Sequence, residues 1–273
     1  MSYQGYVPLM VEYASFINNQ KLRPRVRVLE IGVDRGQTAL PLIANLNYRK
    51  IPFDWFGVDI RYDDVFSQQI TLMEGSDHSI FHDQTKTDSY VTYEKCNSLD
   101  WLPEWVDRFS GETFDLVLID GDHNYDTVKE ELKYLDAITH DYSLVICDDY
   151  SGKHAGKDDF YSKLDTHKNL EHVSKHLDKS KNKGGVKAAI DEFLSENSPK
   201  WDSCELLPGY EIIALVKNLG FQIQVLNNVV SQGQALLHPE NVKCTFGVRP
   251  DVPSSTESTE EGIEGINLSI KTF

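Results

Sequence analysis

The sequence predicts an α/β fold built on a doubly wound, Rossmann-like sheet that is mostly parallel and closed by an antiparallel hairpin. Between residues 25 and 217, short apolar runs alternate with segments whose apolar residues recur at helical spacing. The first run passes through a glycine turn into a helix, which is typical of the first unit of such a sheet. The last two runs flank Pro208-Gly209, a pair that favours a hairpin turn. We therefore expect one domain over this region.

The elements of this domain follow from apolar patterning. Contiguous or alternating apolar runs predict strands at residues 26–31, 55–58, 90–96, 114–119, 143–147, 204–207 and 211–216. The first helix is expected at residues 38–46. The later helices are predicted from three apolar faces: Leu99, Leu102, Trp105, Val106 and Phe109; Val128, Leu132, Leu135 and Ile138; and Val186, Ile190, Phe193 and Leu194.

Other segments lie before, within and after the predicted sheet. Residues 1–24 contain a helix with Leu9, Tyr13, Phe16 and Ile17 on one face, which favours packing on the domain. Residues 60–90 are predicted as a polar insertion. Residues 151–184 form a lysine-rich loop, interpreted either as a lid or as a solvated loop. Residues 218–249 are a C-terminal extension, and residues 250–273 an acidic, flexible tail.

Composition narrows the class of function. A formal net charge of −16 argues against a nucleic-acid partner, because phosphate contacts require a basic surface. No apolar run is long enough for a membrane span, and no signal peptide is visible. The four cysteines are widely spaced, which is typical of reduced thiols. We therefore expect a cytoplasmic protein without nucleic-acid or membrane partners, with a homo-oligomer left open.

The glycine turn after the first strand indicates a ligand site. Gly32 and Gly36 separate the strand from the next helix, so backbone N–H groups and a helix dipole would face a cleft. Asp34 stands where a dinucleotide fingerprint would have a third glycine, and Glu30 suits a cationic ligand better than a phosphate. Asp59 ends the second strand, at about the 20-residue separation typical of a ribose-binding carboxylate.

Further carboxylates follow the fourth and fifth predicted strands. Asp120 and Asp122 come after the fourth, and Asp148 and Asp149 after the fifth. Because parallel strands end at one edge of a sheet, these groups are expected to meet and repel one another. A hard divalent cation such as Mg²⁺ would relieve that repulsion, with Ca²⁺ or Mn²⁺ as alternatives. The competing interpretation is that some of them are solvated helix caps.

Two motifs resemble known enzymes. Glu-Ile-Gly-Val-x-x-Gly resembles the first motif of class I S-adenosylmethionine (SAM) dependent methyltransferases. IDGDHNY followed by CDDY resembles the macrocin O-methyltransferase type and the wider methyltransferase-24 group. The resemblance covers about residues 25–217. It departs from the family at residues 139–142, where a Pro-Gly-Gly turn is usual, and in the long insertion after the second strand.

The resemblance implies roles for particular residues. The cofactor would be bound by Glu30, Gly32, Gly36, Asp59, Asn97, Ser98 and Asp120, with Asn97 and Ser98 at the adenine. The metal ligands would be Asp120, Asp148 and Asp149. His123 is the candidate general base and Asp122 its rival, although His123 could instead cap or pack a helix.

The predicted function is a SAM-dependent O-methyltransferase acting on a hydroxyl of a small molecule or sugar, with assistance from Mg²⁺ or another hard divalent cation. The lysine-rich loop leaves an anionic acceptor open. Two alternatives stand beside this prediction: a nicotinamide-dependent oxidoreductase, and a non-catalytic SAM-binding or scaffold protein. His172 and His176 have zinc-ligand spacing, but without a third ligand a polar helical face is the favoured interpretation.

Overall fold

The structure is a computed structural model that describes residues 7–60, 89–152, 155–158, 182–204 and 211–217. The predicted insertion falls almost wholly outside the described residues, and so does most of the lysine-rich loop, including His172 and His176. The same holds for the hairpin turn at Pro208-Gly209, the C-terminal extension and the acidic tail. The predictions for these segments stay predictions.

Seven strands and six helices are assigned within the described residues. The strands are β1 Val26–Ile31, β2 Phe53–Asp59, β3 Tyr90–Lys95, β4 Phe114–Ile119, β5 Thr139–Cys147, β6 Asp202–Cys204 and β7 Ile213–Val216. The helices are α1 Val7–Asn19, α2 Ala39–Tyr48, α3 Ser98–Arg108, α4 Tyr125–Leu132, α5 Leu135–Ile138 and α6 Gly185–Asn197. None of these helices has the length and apolar character that crossing a bilayer requires.

The strands form one sheet in the order β3-β2-β1-β4-β5-β7-β6. The five strands β1 to β5 are parallel, and β7 runs antiparallel to both β5 and β6. The predicted fold class and its closing hairpin are therefore confirmed. Strand order reverses between β1 and β4, which places the ligand crevice of such a sheet at the carboxyl ends of these two strands.

Side chains at alternate strand positions pack into two hydrophobic layers, one on each face of the sheet. One layer lies between the sheet and helices α1 and α2, and the other lies under helices α3 to α6. In α1, Met10, Ala14 and Ile17 are fully buried, so this helix packs on the domain as expected. Burying a side chain the size of Met10 or Ile17 stabilises the fold by about 1.5–3 kcal/mol.

Two element predictions need correction. Strand β5 begins at Thr139 and not at residue 143, because a register shift between Phe114 and Leu116 lets the early part of β5 bulge while still pairing. The Ser143 hydroxyl stabilises the bulge by donating to the Phe114 carbonyl at 2.6 Å. In α3, Trp101 belongs to the buried face, whereas Phe109 is 46% exposed because the helix ends before it.

Candidate active site

The predicted cofactor and metal carboxylates lie at one edge of the sheet, here called the carboxyl edge. Backbone pairing continues past the strand ends, because the Asp120 amide donates to Ile31 O at 2.8 Å. The Asp148 amide donates to Ile119 O at 3.0 Å in the same way. The first bond holds the segment after β4 against the end of β1, and the second holds the segment after β5 against the end of β4. The acidic residues that follow neighbouring strands therefore lie close together.

The glycine turn is shaped by contacts within the protein. Gly32 has a φ of +86°, and a Cβ added there would lie 2.0 Å from the Asp120 carbonyl oxygen. Only glycine allows this approach of two backbones. Asp59 Oδ2 accepts hydrogen bonds from the Val33 amide at 2.9 Å and the Asp34 amide at 2.8 Å. Asp59 thus orders the turn, and its predicted ribose contact stays a prediction.

Glu30 is a buried carboxyl at the end of β1. It is 1% exposed, and its Oε2 accepts a hydrogen bond from Trp55 Nε1 at 3.1 Å. The indole passes over Gly57, where an added Cβ would lie 2.1 Å from the Trp55 ring. Burial raises the pKa of Glu30 well above its usual value, and the nearby charges of Asp120 and Asp59 add to the effect. A cationic ligand would therefore be stabilised beside it.

His123 lies between two carboxylates. Its Nε2 is 3.2 Å from Asp120 Oδ1, and its Nδ1 is 2.6 Å from Asp149 Oδ2. Burial disfavours the charged imidazole, but the hydrogen bonds to Asp120 and Asp149 outweigh it and raise the pKa of His123 well above its usual value. The predicted base thus has both ring nitrogens engaged.

Asp148 carries the clearest sign of uncompensated negative charge. Burial raises its pKa to about 8, with further contributions from the charges of Asp120 and Asp149. Ligand atoms of Asp120, His123 and Asp148 all lie within 4.8 Å of one another. This donor set fits a divalent cation. Two of the three predicted metal ligands thus come together, while the Asp149 carboxylate is turned towards His123.

Asp122, the rival base, belongs to the start of α4. Its Oδ2 accepts hydrogen bonds from Asn124 Nδ2 and, at 2.9 Å, from Thr127 Oγ1. Asn124 in turn caps the helix by accepting from the Thr127 amide at 3.0 Å. Asp122 Oδ1 is buried without a hydrogen-bond partner among the described residues. The structure therefore gives Asp122 a capping role, and its role as a base stays a prediction.

The predicted adenine turn also makes internal hydrogen bonds. Asn97 caps α3 by accepting from the Leu99 amide at 2.9 Å, and Ser98 Oγ donates to Glu131 Oε1 at 2.5 Å. Glu131 is 1% exposed, and burial raises its pKa to about 8. Sequence reasoning missed this residue, although its position three residues after Val128 places it on the buried face of α4. The adenine contacts of Asn97 and Ser98 stay a prediction.

The central part of the chain matches the model of a known protein family. Residues 29–150 match the methyltransferase-24 family, whose description is "Methyltransferase domain". These residues are therefore similar to the methyltransferase domain of that family. The matched segment begins inside β1 and ends just after Asp149, so it contains every residue predicted for the cofactor and the metal. This match agrees with the resemblance predicted from the sequence and supports a SAM-dependent methyltransferase.

Several solved structures of low identity align with part of this chain. A putative caffeoyl-CoA O-methyltransferase from Staphylococcus aureus is 15% identical, with a TM-score of 0.43 over 77% of this chain and 82% of that chain. CalS11, a TDP-rhamnose 3'-O-methyltransferase, is 16% identical, with a TM-score of 0.47 over 77% and 78%. MycE in complex with Mg, SAH and mycinamycin VI is 13% identical, with a TM-score of 0.42 over 76% of this chain and 48% of that chain. This chain thus spans about half of the length of MycE. No curated protein sequence matches it significantly.

Proposed function

We propose that this methyltransferase transfers the SAM methyl group to a hydroxyl of a small molecule or sugar, assisted by a divalent cation at the carboxyl edge. The observation that carries this proposal is the convergence of Asp120 and Asp148 next to the glycine turn. Asp148 is buried and Asp120 is half-buried, and the negative charges of the two carboxylates oppose each other unless a cation joins them.

The cofactor half of the site is built for a positively charged ligand. Glu30 lies in a low-dielectric environment shared with the charges of Asp59 and Asp120. A sulfonium and an amino group would lower the cost of those charges, whereas a pyrophosphate would raise it. This electrostatic character supports SAM over a nicotinamide dinucleotide.

The metal half would be held by Asp120 and Asp148. When bound, a divalent cation orients an acceptor hydroxyl and lowers its pKa, so that the oxygen nucleophile forms near neutral pH. The protein's own contribution is placement, since the strand-end hydrogen bonds fix Asp120 at the end of β1 and Asp148 at the end of β4. Oxygen ligands on neighbouring strands support Mg²⁺ or another hard cation as the first candidate.

Transfer of the methyl group forms an O–C bond and breaks a C–S bond, and the hydroxyl proton passes to a base. Of the two predicted bases, His123 lies with Asp120 and Asp148, while Asp122 serves the cap of α4. His123 has two roles open to it, as the base or as a ligand of the cation. These roles exclude each other, because both use the lone pair of Nε2.

The described ends of the lysine-rich loop lie beside this site. Asp158 Oδ1 accepts from the Tyr125 amide at 2.6 Å, at the start of α4. Asn182 Oδ1 accepts from the Asp158 amide at 2.9 Å and from the Gly184 amide at 3.1 Å, which joins the two ends of the segment. This placement supports access of the loop to the acceptor, and the lid and the anionic acceptor stay proposals.

Calorimetry and turnover test the proposal together. We expect the full chain to bind S-adenosylhomocysteine (SAH) and not NAD, and to methylate hydroxyl compounds from labelled SAM in a screen. EDTA should stop turnover while SAH binding persists, because the cation and the cofactor share only Asp120 among their predicted residues. Binding of NAD without SAH would favour the oxidoreductase. SAH binding with no transfer to any acceptor, with or without metal, would favour the non-catalytic protein.

A further inference from the structure

Glu131 is a buried acid that the proposed reaction leaves without a role. It lies on the buried face of α4, beside Val128 and Leu132, and is 1% exposed. Its Oε1 accepts a hydrogen bond from Ser98 Oγ at 2.5 Å. Its Oε2 is buried with no hydrogen-bond partner among the described residues. The hydrogen bond of Glu131 therefore goes to the turn that follows β3.

This arrangement is a poor way to stabilise the fold. An acid that is buried with one oxygen unpaired carries the desolvation cost of that oxygen. Replacing a buried polar group by an apolar one of similar volume is often neutral or stabilising. Glu131→Leu would simply extend the apolar face that Val128 and Leu132 form on α4. The effect of Glu131 is therefore expected on Ser98 and not on the stability of the fold.

The turn that contains Ser98 lies beside the predicted ribose carboxylate. The Cys96 amide donates to the Asp59 carbonyl oxygen at 2.9 Å, which joins the end of β3 to the end of β2. Ser98 follows as the first residue of α3 and is 8% exposed. A nucleoside whose ribose contacts Asp59 would direct its base along this turn. This placement supports the predicted contact between Ser98 and the base.

The hydrogen bond to Glu131 sets the polarity of the Ser98 hydroxyl. A hydroxyl has one proton to donate and two lone pairs that accept. The Ser98 proton is directed at Glu131 Oε1, so Oγ can offer a ligand only its lone pairs. An accepting oxygen suits the 6-amino group of adenine. It opposes the 6-oxo group of hypoxanthine, because that oxygen also accepts.

We propose that Glu131 is the positioning residue of Ser98 and thereby a determinant of cofactor specificity, favouring a 6-amino purine over a 6-oxo purine. This inference rests on the cofactor half of the proposed function. It adds a residue outside the sets predicted for the cofactor and the metal. Ser98 touches the base in this arrangement, whereas Glu131 acts only through the direction of the Ser98 hydroxyl.

Calorimetry of the full chain with SAH and with S-inosylhomocysteine, whose base carries a 6-oxo group, measures this preference. We expect the wild type to bind SAH about 10- to 100-fold more tightly, because two opposed acceptors leave a buried group unpaired. Glu131→Leu should narrow that ratio about 10-fold, since the released hydroxyl can rotate and donate to the 6-oxo group. Glu131→Gln should keep the ratio, because its amide oxygen can accept from Ser98.

Ser98→Ala shows whether Glu131 acts through the hydroxyl. That variant should narrow the ratio by a similar factor, and the addition of Glu131→Leu should then change it no further. Glu130→Gln is the matched control, because Glu130 is the neighbour of Glu131 on α4 but pairs with Lys133 in solvent. It should keep the wild-type ratio. Melting of Glu131→Leu should occur at or above the wild-type temperature, a result that a purely structural role for Glu131 would not produce.

Three results would overturn the inference while leaving the cofactor in place. Equal binding of both compounds by the wild type would show that hydroxyl polarity does not select the base, and this result needs no variant. A wild-type ratio in Glu131→Leu would show that Glu131 has no influence on the base. Additive effects of Ser98→Ala and Glu131→Leu would show that Glu131 acts independently of Ser98.

Failure of the proposed function gives a different result. Absence of SAH binding by the wild type would remove the inference together with its cofactor, whereas SAH binding without preference removes the inference alone. If Glu131→Leu does not fold, the wild-type ratio and the Ser98→Ala ratio still decide, because both depend on the same hydroxyl.

Discussion

Each end of β4 places an aspartate beside a histidine, but the two aspartates differ in how far neighbouring groups compensate their negative charge. At the start of the strand, Asp115 is 0% exposed and has a cationic or N–H partner on each oxygen. It accepts from the Arg27 amide at 2.7 Å, pairs with Arg23 Nε at 3.7 Å and meets His140 Nε2 at 2.9 Å. Compensation of this kind is typical of a carboxylate that stabilises the fold.

At the other end of β4, the carboxylates face one another. Asp120 and Asp148 share one histidine, His123, and the pKa of Asp148 is raised to about 8 by burial and by neighbouring negative charge. The contrast teaches that burial alone does not mark a functional acid. A buried acid indicates a site when its charge is opposed by its neighbours, and the missing compensation is then supplied by a ligand.

The largest effect is expected from Asp148→Asn. Loss of a charged ligand should lower metal-dependent turnover about 1000-fold, or about 4 kcal/mol of transition-state stabilisation. Thermal stability without metal should stay equal near neutral pH and rise at higher pH, where the wild-type Asp148 ionises beside its negative neighbours. Methyl-transfer kinetics and melting curves measure the two quantities. A variant that melts lower and turns over normally would contradict the contrast.

Asp115→Asn should show the reverse pattern. Breaking a buried, compensated ion pair costs about 3–5 kcal/mol of unfolding free energy. Chemical denaturation measures that loss, and SAH affinity of the folded variant should change little because Asp115 lies at the far end of β4. An unchanged unfolding free energy would show that Arg23 and His140 contribute no net stability through Asp115.

Glu131→Gln should alter the pH dependence of stability. Below pH 4.5, the usual pKa of a glutamate, Glu131 is protonated in both the folded and the unfolded protein. Between pH 4.5 and about pH 8, the folded protein keeps the Glu131 proton, whereas the unfolded chain releases it. Stability attributable to this group therefore falls as pH rises through that window, by up to about 1.4 kcal/mol per pH unit.

Denaturation of the wild type and of the Glu131→Gln variant from pH 5 to pH 8 measures that slope. The variant should have the shallower decline, since its amide does not titrate. Asp148 contributes in the same direction in both proteins, so the difference between the curves isolates Glu131. Parallel curves would mean that Glu131 is ionised in the folded state at neutral pH.

The smallest effect is expected at an exposed ion pair. Arg108 Nη1 lies 2.9 Å from Glu104 Oε1 on the surface of α3. Glu104→Ala should change the unfolding free energy by only about 0.3–0.5 kcal/mol and leave turnover unchanged, because solvent screens such pairs. Denaturation in low and high salt provides the measurement. If the Glu104→Ala variant lost several kcal/mol of unfolding free energy, solvent exposure would be a poor guide to the stabilising contribution of ion pairs in this protein.

Much of the fold and the clustering of the site were predictable, because both depend on periodicity and chain order. Apolar runs located the strands, and acids directly after β4 and β5 had to meet once those strands were parallel neighbours. The extent of β5 was not predictable. Its first residues are polar, and they join the strand only through the bulge that Ser143 closes.

The directions of individual side chains in the site were also beyond the sequence. Asp149 turns to His123 through a positive φ that nothing in the Asp-Asp-Tyr motif indicates. Trp55 reaches Glu30 only because Gly57 leaves room for the indole, a contact between two strands that no local pattern encodes. Such contacts depend on three-dimensional packing, whereas element type depends on spacing along the chain.

The close approach at Gly32 has a consequence for how this enzyme can diverge. Main chain touches main chain where the first and fourth strands end, with no space for even a methyl group between Gly32 and the Asp120 carbonyl. Substitutions cannot widen or narrow that gap gradually, so the spacing between the ends of the first and fourth strands is inherited as a unit. New acceptor preferences are therefore expected to arise in segments that border the crevice, with this junction left unaltered.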